Sequence, residues 1–257
     1  MVDSSDKEKG KKKITNFKSF PIPFALERIQ ENIITTTNSF TKISKEKIIN
    51  QAITLHLQGN ISEATKYYQQ SINLGCNDHR VFSNYGIILK DLGKLKEAEI
   101  SYRKAVELNP DFAAAHSNLG NVLRKLGKLK EAELSTCKAI DLKPDFADAH
   151  LNLGKILSDL GKLQEAELST RKAIELNPNY VNAYLNLGNI LKDLGKLQEA
   201  EISYRKAIEL NPNFAIAHSN LGIILSDLGK LQEAEQYFRK TIELKPYFAD
   251  AYSNLGN

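Results

Sequence analysis

Apolar and small residues recur along this chain at the spacing of helix faces, and the pattern returns every 34 residues. In the stretch from Ala113 to Phe146, the fourth, seventh, eighth and eleventh positions form one such stripe, and a second stripe begins at Leu129. Gly127 lies between the stripes, and glycine supplies the permissive backbone that commonly ends a helix. The pattern therefore predicts a hairpin of two helices.

Copies of this stretch start at Lys45, His79, Ala113, Ala147, Val181 and Ala215, and a seventh begins at Ala249 and stops after nine residues. A period of roughly 20 to 50 residues is typical of solenoids, so the predicted fold is all-α. We expect a tail, a short helix and a linker over residues 1–44, then six repeats at 45–78, 79–112, 113–146, 147–180, 181–214 and 215–248, and the start of a seventh at 249–257. A residue's position within its copy is called its place, so that Ala113 has place 1.

The ends and contacts of the predicted helices follow from three recurring places. Pro144 at place 32 cannot continue the second helix. Asp145 beside it is predicted to cap the next helix, as are its counterparts Asp111, Asn179 and Asn213. Glycine at place 8 and alanine at place 20 recur together, which predicts that the two helices of a hairpin approach closely there.

With Leu-Gly at places 7 and 8, alanine at places 20 and 27, an aromatic residue at place 24 and proline at place 32, the copies resemble the tetratricopeptide repeat. The resemblance covers Lys45 to Asn257 and implies a right-handed α-solenoid, or superhelix, that acts as a protein-interaction scaffold. Place 24 is threonine at Thr136 and Thr170, where we expect looser packing. The first copy departs most from the family pattern and is expected to act as a cap.

The segment before the repeats carries most of the net charge. Residues 1–20 hold six lysines and three acids, which supply +3 of the overall +4. We interpret this stretch as a solvated tail rather than an arm for nucleic acid or an acidic membrane surface, because acids interrupt the lysines and arginine is absent.

The apolar stripe of Ile22, Leu26, Ile29 and Ile33 predicts a short helix that packs on the first repeat, with a docking peptide for another subunit as the alternative. Residues 35–39 are predicted to form a linker, and Ser44 to cap the first repeat helix. No signal peptide or membrane-length apolar run is evident, so we expect a cytoplasmic protein. Cys76 and Cys137 lie in different copies and are expected to be free thiols.

The candidate catalytic residues all have a structural explanation. His116, His150 and His218 share place 4, but residues one copy apart are about 10 Å or more from each other, so we expect core histidines rather than metal ligands. Glutamates at place 21 precede arginines at place 25, which predicts helix-surface ion pairs. The Gly-Lys pairs lack the upstream glycine of a phosphate-binding loop. We therefore expect no enzyme activity, cofactor, metal or small-molecule substrate.

The functional prediction concerns the side of the first helix that faces away from its packed stripe. Place 6 on that side is asparagine in every copy, although place 2 nearby varies and asparagine is a mediocre helix former. The asparagines are Asn50, Asn84, Asn118, Asn152, Asn186, Asn220 and Asn254. Their amides, predicted to face solvent, serve either a bound partner or the tie from one repeat to the next, and both interpretations stay open.

The runs Asn118–Asn121, Asn186–Asn189 and Asn254–Asn257, each Asn-Leu-Gly-Asn, are especially similar to the repeats of protein O-linked N-acetylglucosamine transferases. That similarity implies that the place 6 asparagines, with Asn121, Asn189 and Asn257 at place 9, hold the backbone of an extended peptide. Selectivity is then expected from variable neighbours such as Arg80, Arg124, Lys155 and Lys192. Co-chaperone repeats that clamp a C-terminal carboxylate use lysine at place 5, which this chain lacks, so that clamp is not expected.

We therefore predict a scaffold that binds a protein or an extended peptide in the concave groove of a superhelix. The alternative is the substrate-recruiting N-terminal part of a larger enzyme, such as a protein glycosyltransferase. The array stops at place 9 of a helix, where Tyr252 and Leu255 have no second helix to cover them. We expect the parent chain to continue and residues 249–257 to fray or to self-associate.

Overall fold

The structure is a computed structural model that describes residues 37–246, with side chains described from residue 45 onward. This part of the chain forms twelve α-helices and no strand, which confirms the predicted all-α solenoid. The helices are α1 (Thr37–Leu57), α2 (Ile61–Asn73), α3 (His79–Asp91), α4 (Leu95–Leu108), α5 (Ala113–Lys125), α6 (Leu129–Leu142), α7 (Ala147–Asp159), α8 (Leu163–Leu176), α9 (Val181–Asp193), α10 (Leu197–Leu210), α11 (Ala215–Asp227) and α12 (Leu231–Leu244).

The turn inside each hairpin depends on a glycine in the left-handed region. Gly127 has a φ of 76°, and the N–H of Lys128 reaches back to the carbonyl of Leu123 at 2.9 Å. This bond satisfies one of the carbonyls that the end of a helix leaves without a partner. Glycines at the same place in the other copies have the same positive φ, so every hairpin turns in the same way.

The predicted caps of the first helices are wrong. The N-cap residues of α5, α7, α9 and α11 are Phe112, Phe146, Tyr180 and Phe214, and none of them makes a side-chain cap bond. The residues expected to cap lie one position earlier, in the turn. There the Oδ1 atoms of Asn109, Asn177 and Asn211 accept the N–H groups of Asp111, Asn179 and Asn213 at 3.2 to 3.3 Å. Asp78, which stands where the later copies have an aromatic residue, does cap α3 by accepting from the N–H of Arg80 at 2.8 Å.

The linker predicted at residues 35–39 is wrong for residues 37–39, which lie in helix α1, whereas residues 35 and 36 lie outside the described residues. Helix α1 begins at Thr37 and runs through Ser44, so Ser44 lies inside the helix and cannot be its N-cap. Neither glycine nor proline interrupts residues 37–57, and serine or threonine alone rarely stops a helix. The lysine tail, the stripe from Ile22 to Ile33 and the start of the seventh copy lie outside the described residues.

Within the hairpins of the second to sixth copies, the glycine at place 8 packs on the residue at place 24. A Cβ added at Gly188 would lie 2.5 Å from the ring of Tyr204, and one added at Gly120 would overlap Oγ1 of Thr136 and approach the carbonyl oxygen of Ala132 at 3.1 Å. Thr136 and Thr170 are fully buried. The looser packing expected at these threonines is therefore not seen, because the smaller side chain fills the contact directly above the glycine.

Histidines at place 4 join the first helices α5, α7 and α11 to the end of the preceding copy. His116, His150 and His218 place Nε2 within 2.8 to 2.9 Å of the carbonyl oxygens of Pro110, Pro144 and Pro212. A carbonyl oxygen only accepts, so Nε2 carries the proton and donates. His116 and His218 are buried, as expected of core histidines, and His150 is half-buried.

Successive first helices, from α1 to α9, contact one another, whereas successive second helices from α2 to α12 make no comparable contact. The first helices therefore lie on the inner side of the array and the second helices on the outer side. On the outer side, Glu99 accepts from Arg103 at 2.9 Å and from Lys128 of the next copy at 2.8 Å. Burial raises the pKa of Glu99, but these bonds from Lys128 and Arg103 outweigh it and the net pKa is lowered.

The ion pairs predicted between places 21 and 25 are confirmed at Glu99–Arg103, Glu167–Arg171, Glu201–Arg205 and Glu235–Arg239. The structure adds bonds between copies that the spacing did not predict. Arg103, Arg171 and Arg205 each reach a glutamate of the following copy at 2.5 to 2.8 Å. The outer surface is therefore tied from copy to copy by charge.

Candidate functional site

The inner surface of the array is a polar strip built from the exposed side of the first helices, and we call it the inner groove. Places 2, 6, 9, 12 and 13 of each first helix contribute to it. The opposite side of these helices is apolar and buried, as at Leu119 in α5 and Leu187 in α9. A helix with one apolar stripe must bury that stripe, which leaves its polar residues to line the groove.

The asparagines at place 6 are more enclosed than the sequence suggested. Asn84 is only 6% exposed, and the other place 6 asparagines of the described residues are half-buried: Asn50, Asn118, Asn152, Asn186 and Asn220. Asn254 lies outside the described residues. The expectation that the amides face solvent is therefore wrong for Asn84 and only partly met elsewhere.

Two of these asparagines act on a tyrosine hydroxyl at place 24 of the preceding copy. Burial raises the pKa of both tyrosines, Tyr68 and Tyr204, strongly. The amide of Asn84 lowers the pKa of Tyr68, and the amide of Asn220 lowers that of Tyr204, but each offsets only a small part of that shift. Both hydroxyls therefore stay protonated and can donate a hydrogen bond, which Tyr204 makes to Oδ1 of Asn189 at 2.8 Å.

Two others take different partners because place 24 of the preceding copy is threonine. Asn186 donates from Nδ2 to Oγ1 of Thr170 at 3.0 Å. Asn152 instead donates to Oγ of Ser117 at 3.0 Å, and Oγ1 of Thr136 is buried without a partner. Each bond links one copy to the next, so the asparagines act as ties between repeats in this structure.

The place 9 asparagines take part in the same network. Oδ1 of Asn189 accepts from Nδ2 of Asn220 at 2.9 Å as well as from Tyr204. Nδ2 of Asn121 lies 3.4 Å from Oδ1 of Asn152, and its own Oδ1 is buried without a partner. Sequence reasoning missed Ser117, Thr170 and Tyr204 as partners, although the change at place 24 was visible in it.

The four predicted basic residues do not form a single cluster. Arg80 lies in α3 and pairs with Asp78 at 2.6 Å. Arg124 of α5, Lys155 of α7 and Lys192 of α9 instead line one depression of about 490 Å³ that spans three copies and that Asn186 and Asn189 also line. We call this feature the basic depression, since its lining has three cations, Arg124, Lys155 and Lys192, against two acids, Asp159 and Asp193.

The outer surface offers a second feature, a row of apolar side chains at place 22. Ile100, Leu134, Leu168 and Ile202 are 68 to 73% exposed. They stand one to a helix among charged residues, and singly exposed apolar side chains are ordinary on protein surfaces. The inner groove is therefore the stronger candidate for a binding site.

Within the described residues, no cluster of three or more histidine, cysteine or acidic side chains could hold a metal ion. None of the helices between residues 37 and 246 combines the length and apolarity that crossing a bilayer requires. Cys76 and Cys137 are both free and half-buried, as expected.

Comparison with protein families identifies repeats over most of this array. Two models described as tetratricopeptide repeat match residues 147–180 and 181–214 and residues 203–236, and one described as TPR repeat matches residues 86–127 and 120–161. Together these ranges run without a gap from residue 86 to residue 236, which is more than half of the chain. A search of curated proteins finds no match.

Solved structures share the architecture. YrrB, a TPR protein with an unusual peptide-binding site, is 26% identical with a TM-score of 0.56, over 74% of this chain and 98% of its own. MamA is 27% identical with a TM-score of 0.56, over 64% of this chain and 96% of its own. PilF of Pseudomonas aeruginosa, at 17% identity, matches with a TM-score of 0.69 over 82% of this chain and 96% of its own, and shows the fold alone.

Proposed function

Because this chain belongs to the tetratricopeptide repeat family, we propose that it is a non-catalytic scaffold that binds an extended peptide segment of a partner protein in its inner groove. The observation that carries this proposal is the groove itself, a mainly polar strip on successive first helices that carries an asparagine in each of the six full copies. The peptide-binding site of YrrB supports it, since that protein is similar to most of this chain.

The spacing of the groove suits an extended chain. Adjacent first helices are about 10 Å apart by ordinary helix packing, and an extended peptide rises about 3.3 Å per residue. One asparagine therefore meets the peptide at about every third residue. An asparagine amide has two N–H groups and two acceptor sites, so the single bonds that tie Asn152 and Asn186 to neighbouring copies leave capacity for a peptide group.

The ties between copies lower the expected contribution of the asparagines. A net hydrogen bond is worth about 0.5 to 1.5 kcal/mol. Association itself costs about 4 to 15 kcal/mol, so a few such bonds give weak and promiscuous binding. Charged neighbours in the groove would then decide which peptides bind. The matching families and solved structures point to repeat scaffolds and not to O-linked N-acetylglucosamine transferases, so we do not propose the enzyme segment further.

The test is capture of peptides from a synthetic library of dodecamers, acetylated and amidated at their ends, by the immobilised protein. We expect captured peptides to be lost when Asn118, Asn152 and Asn186 are changed together to alanine. The control changes Lys130, Gln164 and Gln198 to alanine, since these residues are exposed on the second helices of the same three copies.

Thermal unfolding of both triple variants separates the two roles of the asparagines. A small fall in melting temperature with loss of capture supports peptide binding. A large fall in melting temperature would show that the asparagines mainly hold the copies together. Unchanged capture by a folded asparagine variant would contradict their role in binding, and no capture by the unaltered protein would contradict the proposed function.

A further inference from the structure

The basic depression has more positive charge than its own acids compensate. Arg124 is paired with Asp159 at 2.7 Å, and Lys192 lies 3.9 Å from Asp193. Lys155 is the third cation, and within residues 45–246 no carboxylate forms an ion pair with it and no group hydrogen-bonds it. Asp148 is the acid that acts on Lys155 through space, and it already accepts the hydroxyl of Tyr180 at 2.6 Å.

The positive charge of Lys155 is not a requirement of repeat packing. Place 9 is isoleucine or asparagine in the other five full copies, at Ile53, Ile87, Asn121, Asn189 and Ile223. These copies form the same hairpins without a charge at that place. Lysine is seldom enclosed without a partner, since burying an unpaired charge is costly. The structural role of place 9 therefore does not account for Lys155.

Two amides that line the basic depression beside Lys155 and the acids Asp159 and Asp193 also have N–H groups to donate. Oδ1 of Asn189 already accepts two hydrogen bonds, from Tyr204 and Asn220, which leaves its two N–H groups as its remaining capacity. Asn186 uses Nδ2 to donate to Thr170 and has a second N–H on the same atom. An ammonium and two amides that retain N–H groups match a carboxylate, which only accepts.

The electrostatic setting of Lys155 agrees with this arrangement. Burial lowers the pKa of Lys155 to about 8, the positive charges of Arg124 and Lys125 lower it as well, and Asp148 raises it only in part. A carboxylate beside the ammonium would raise this pKa again. The binding of an acid and the protonation of Lys155 are therefore coupled.

We infer that the basic depression is the specificity site of the inner groove and that it binds a carboxylate of the partner peptide between Lys155, Lys192 and the amides of Asn186 and Asn189. The carboxylate comes from an aspartate or glutamate side chain or from the peptide's C-terminus. This inference rests on the proposed peptide-binding function and adds the chemistry of the partner: an acidic segment that reaches α7 and α9.

The test uses the capped dodecamer library and compares the acidic residue content of peptides captured by the unaltered protein and by Lys155→Gln. We expect aspartate and glutamate to be enriched on the unaltered protein and to return to the library average on Lys155→Gln, while Lys155→Arg keeps the enrichment. Lys130→Gln, which removes an exposed lysine from the outer side of the neighbouring copy, serves as the matched control and should capture like the unaltered protein.

The affinity of the unaltered protein is then measured for one captured peptide and for its twin, the same peptide with glutamine in place of glutamate. We expect about a tenfold preference for the glutamate peptide, the size of one charge-assisted hydrogen bond. The preference should be full below pH 8 and fall as the pH rises through the pKa of Lys155, and Lys155→Arg should keep it at pH 10. A third peptide with a free C-terminus and no acidic side chain tells whether a terminal carboxylate serves as well.

Protection of Lys155 from an amine-acylating reagent by the glutamate peptide, and not by its twin, is a second readout that needs no variant to fold. Capture of peptides without any enrichment in acids, together with equal affinity for the twins, would overturn the inference while leaving the proposed function intact. Failure of the unaltered protein to capture any peptide would overturn both.

Discussion

The third and fifth copies pack different residues against the glycine at place 8, and this difference changes the hydrogen bonds in the inner groove. At place 24, against the glycine of the first helix, the third copy has Thr136 and the fifth has Tyr204, and both are fully buried. The ring of Tyr204 extends across Gly188 and brings its hydroxyl to Asn189 in the groove. Thr136 ends at Gly120, where its hydroxyl has no partner.

This contrast explains why the asparagines at place 6, which are identical in sequence, have different hydrogen-bond partners. Behind a tyrosine, the asparagine of the next copy joins a network of hydroxyl and amide groups, as Asn220 does with Tyr204 and Asn189. Behind Thr136, Asn152 turns to Ser117 and Asn121 instead. The identity of the buried residue at place 24 of the second helix therefore helps to determine which hydrogen bonds hold the groove asparagine of the next copy.

The largest expected effects come from changes at the glycine of place 8 and at the residue of place 24 that packs on it. Gly120→Ala would place Cβ against Oγ1 of Thr136 and 3.1 Å from the carbonyl oxygen of Ala132, and Gly188→Ala would place it 2.5 Å from the ring of Tyr204. Overpacking costs about 1 to 3 kcal/mol, and the better helix propensity of alanine recovers up to about 1 kcal/mol. We expect a net loss of about 1 to 2 kcal/mol in the free energy of unfolding for each variant, measured by urea denaturation.

Truncation at place 24 should tell the two copies apart. In Gly120→Ala/Thr136→Ala the added methyl group takes the space of the lost hydroxyl, so most of the stability should return. In Gly188→Ala/Tyr204→Ala a single methyl group cannot fill the space of a ring, and the loss should grow by several kcal/mol. Equal behaviour of the two double variants would show that the copies pack alike after all.

Much of the fold could be predicted because the same residue pattern recurs in successive copies. Hairpin turns at Gly127 and its counterparts and the close approach at place 8 follow from residue type and spacing alone. The caps could not be predicted, because Asn109 folds Asp111 into the turn and moves the helix start to Phe112, a result of local geometry rather than cap preference.

The candidate site was predictable as a set of residues but not as a set of contacts. Spacing placed the asparagines on one side of the first helices, yet their burial depends on how closely the preceding copy packs. Which oxygen Asn152 or Asn186 reaches depends on the side chains that the preceding copy places beside it, Ser117 for Asn152 and Thr170 for Asn186. The lowered pKa of Lys155 likewise comes first from burial and then from the charges of Arg124 and Lys125 on the neighbouring helix α5, which no pattern within one copy contains.

A smaller effect should separate two tyrosines that occupy the same place. The hydroxyl of Tyr102 in the second copy is buried without a partner, whereas that of Tyr204 donates to Asn189. Tyr204→Phe should therefore lower the free energy of unfolding by about 1 kcal/mol or somewhat more, and Tyr102→Phe should leave it unchanged or raise it. Urea denaturation of the two variants measures both values, and a Tyr102→Phe variant as destabilised as Tyr204→Phe would contradict this difference in bonding.

The third copy also differs from the fifth on the outer surface, where it lacks one link of the charge network. Place 25 is arginine in the fifth copy, and Arg205 bonds both Glu201 and Glu233 of the next copy. The third copy has Cys137 there, and only Lys162 reaches its place 21 acid, Glu133, at 2.7 Å. Burial raises the pKa of Cys137, as do Glu133 and Asp141, so the thiol stays neutral and cannot replace the missing cation.

Cys137→Arg should complete this network and give the smallest of the three effects. The new guanidinium can reach Glu133 in its own helix and Glu165 in the next copy, as Arg205 reaches its two acids. Because these positions border solvent, we expect a gain of about 0.2 to 1 kcal/mol, or about 1 to 3 °C in melting temperature. The gain should shrink at 1 M salt, where exposed charges are screened, and it should be halved or lost when Glu165 is changed to glutamine. A gain that persists in both conditions would come from packing of the longer side chain and would show that the charge network does not help to hold the copies together.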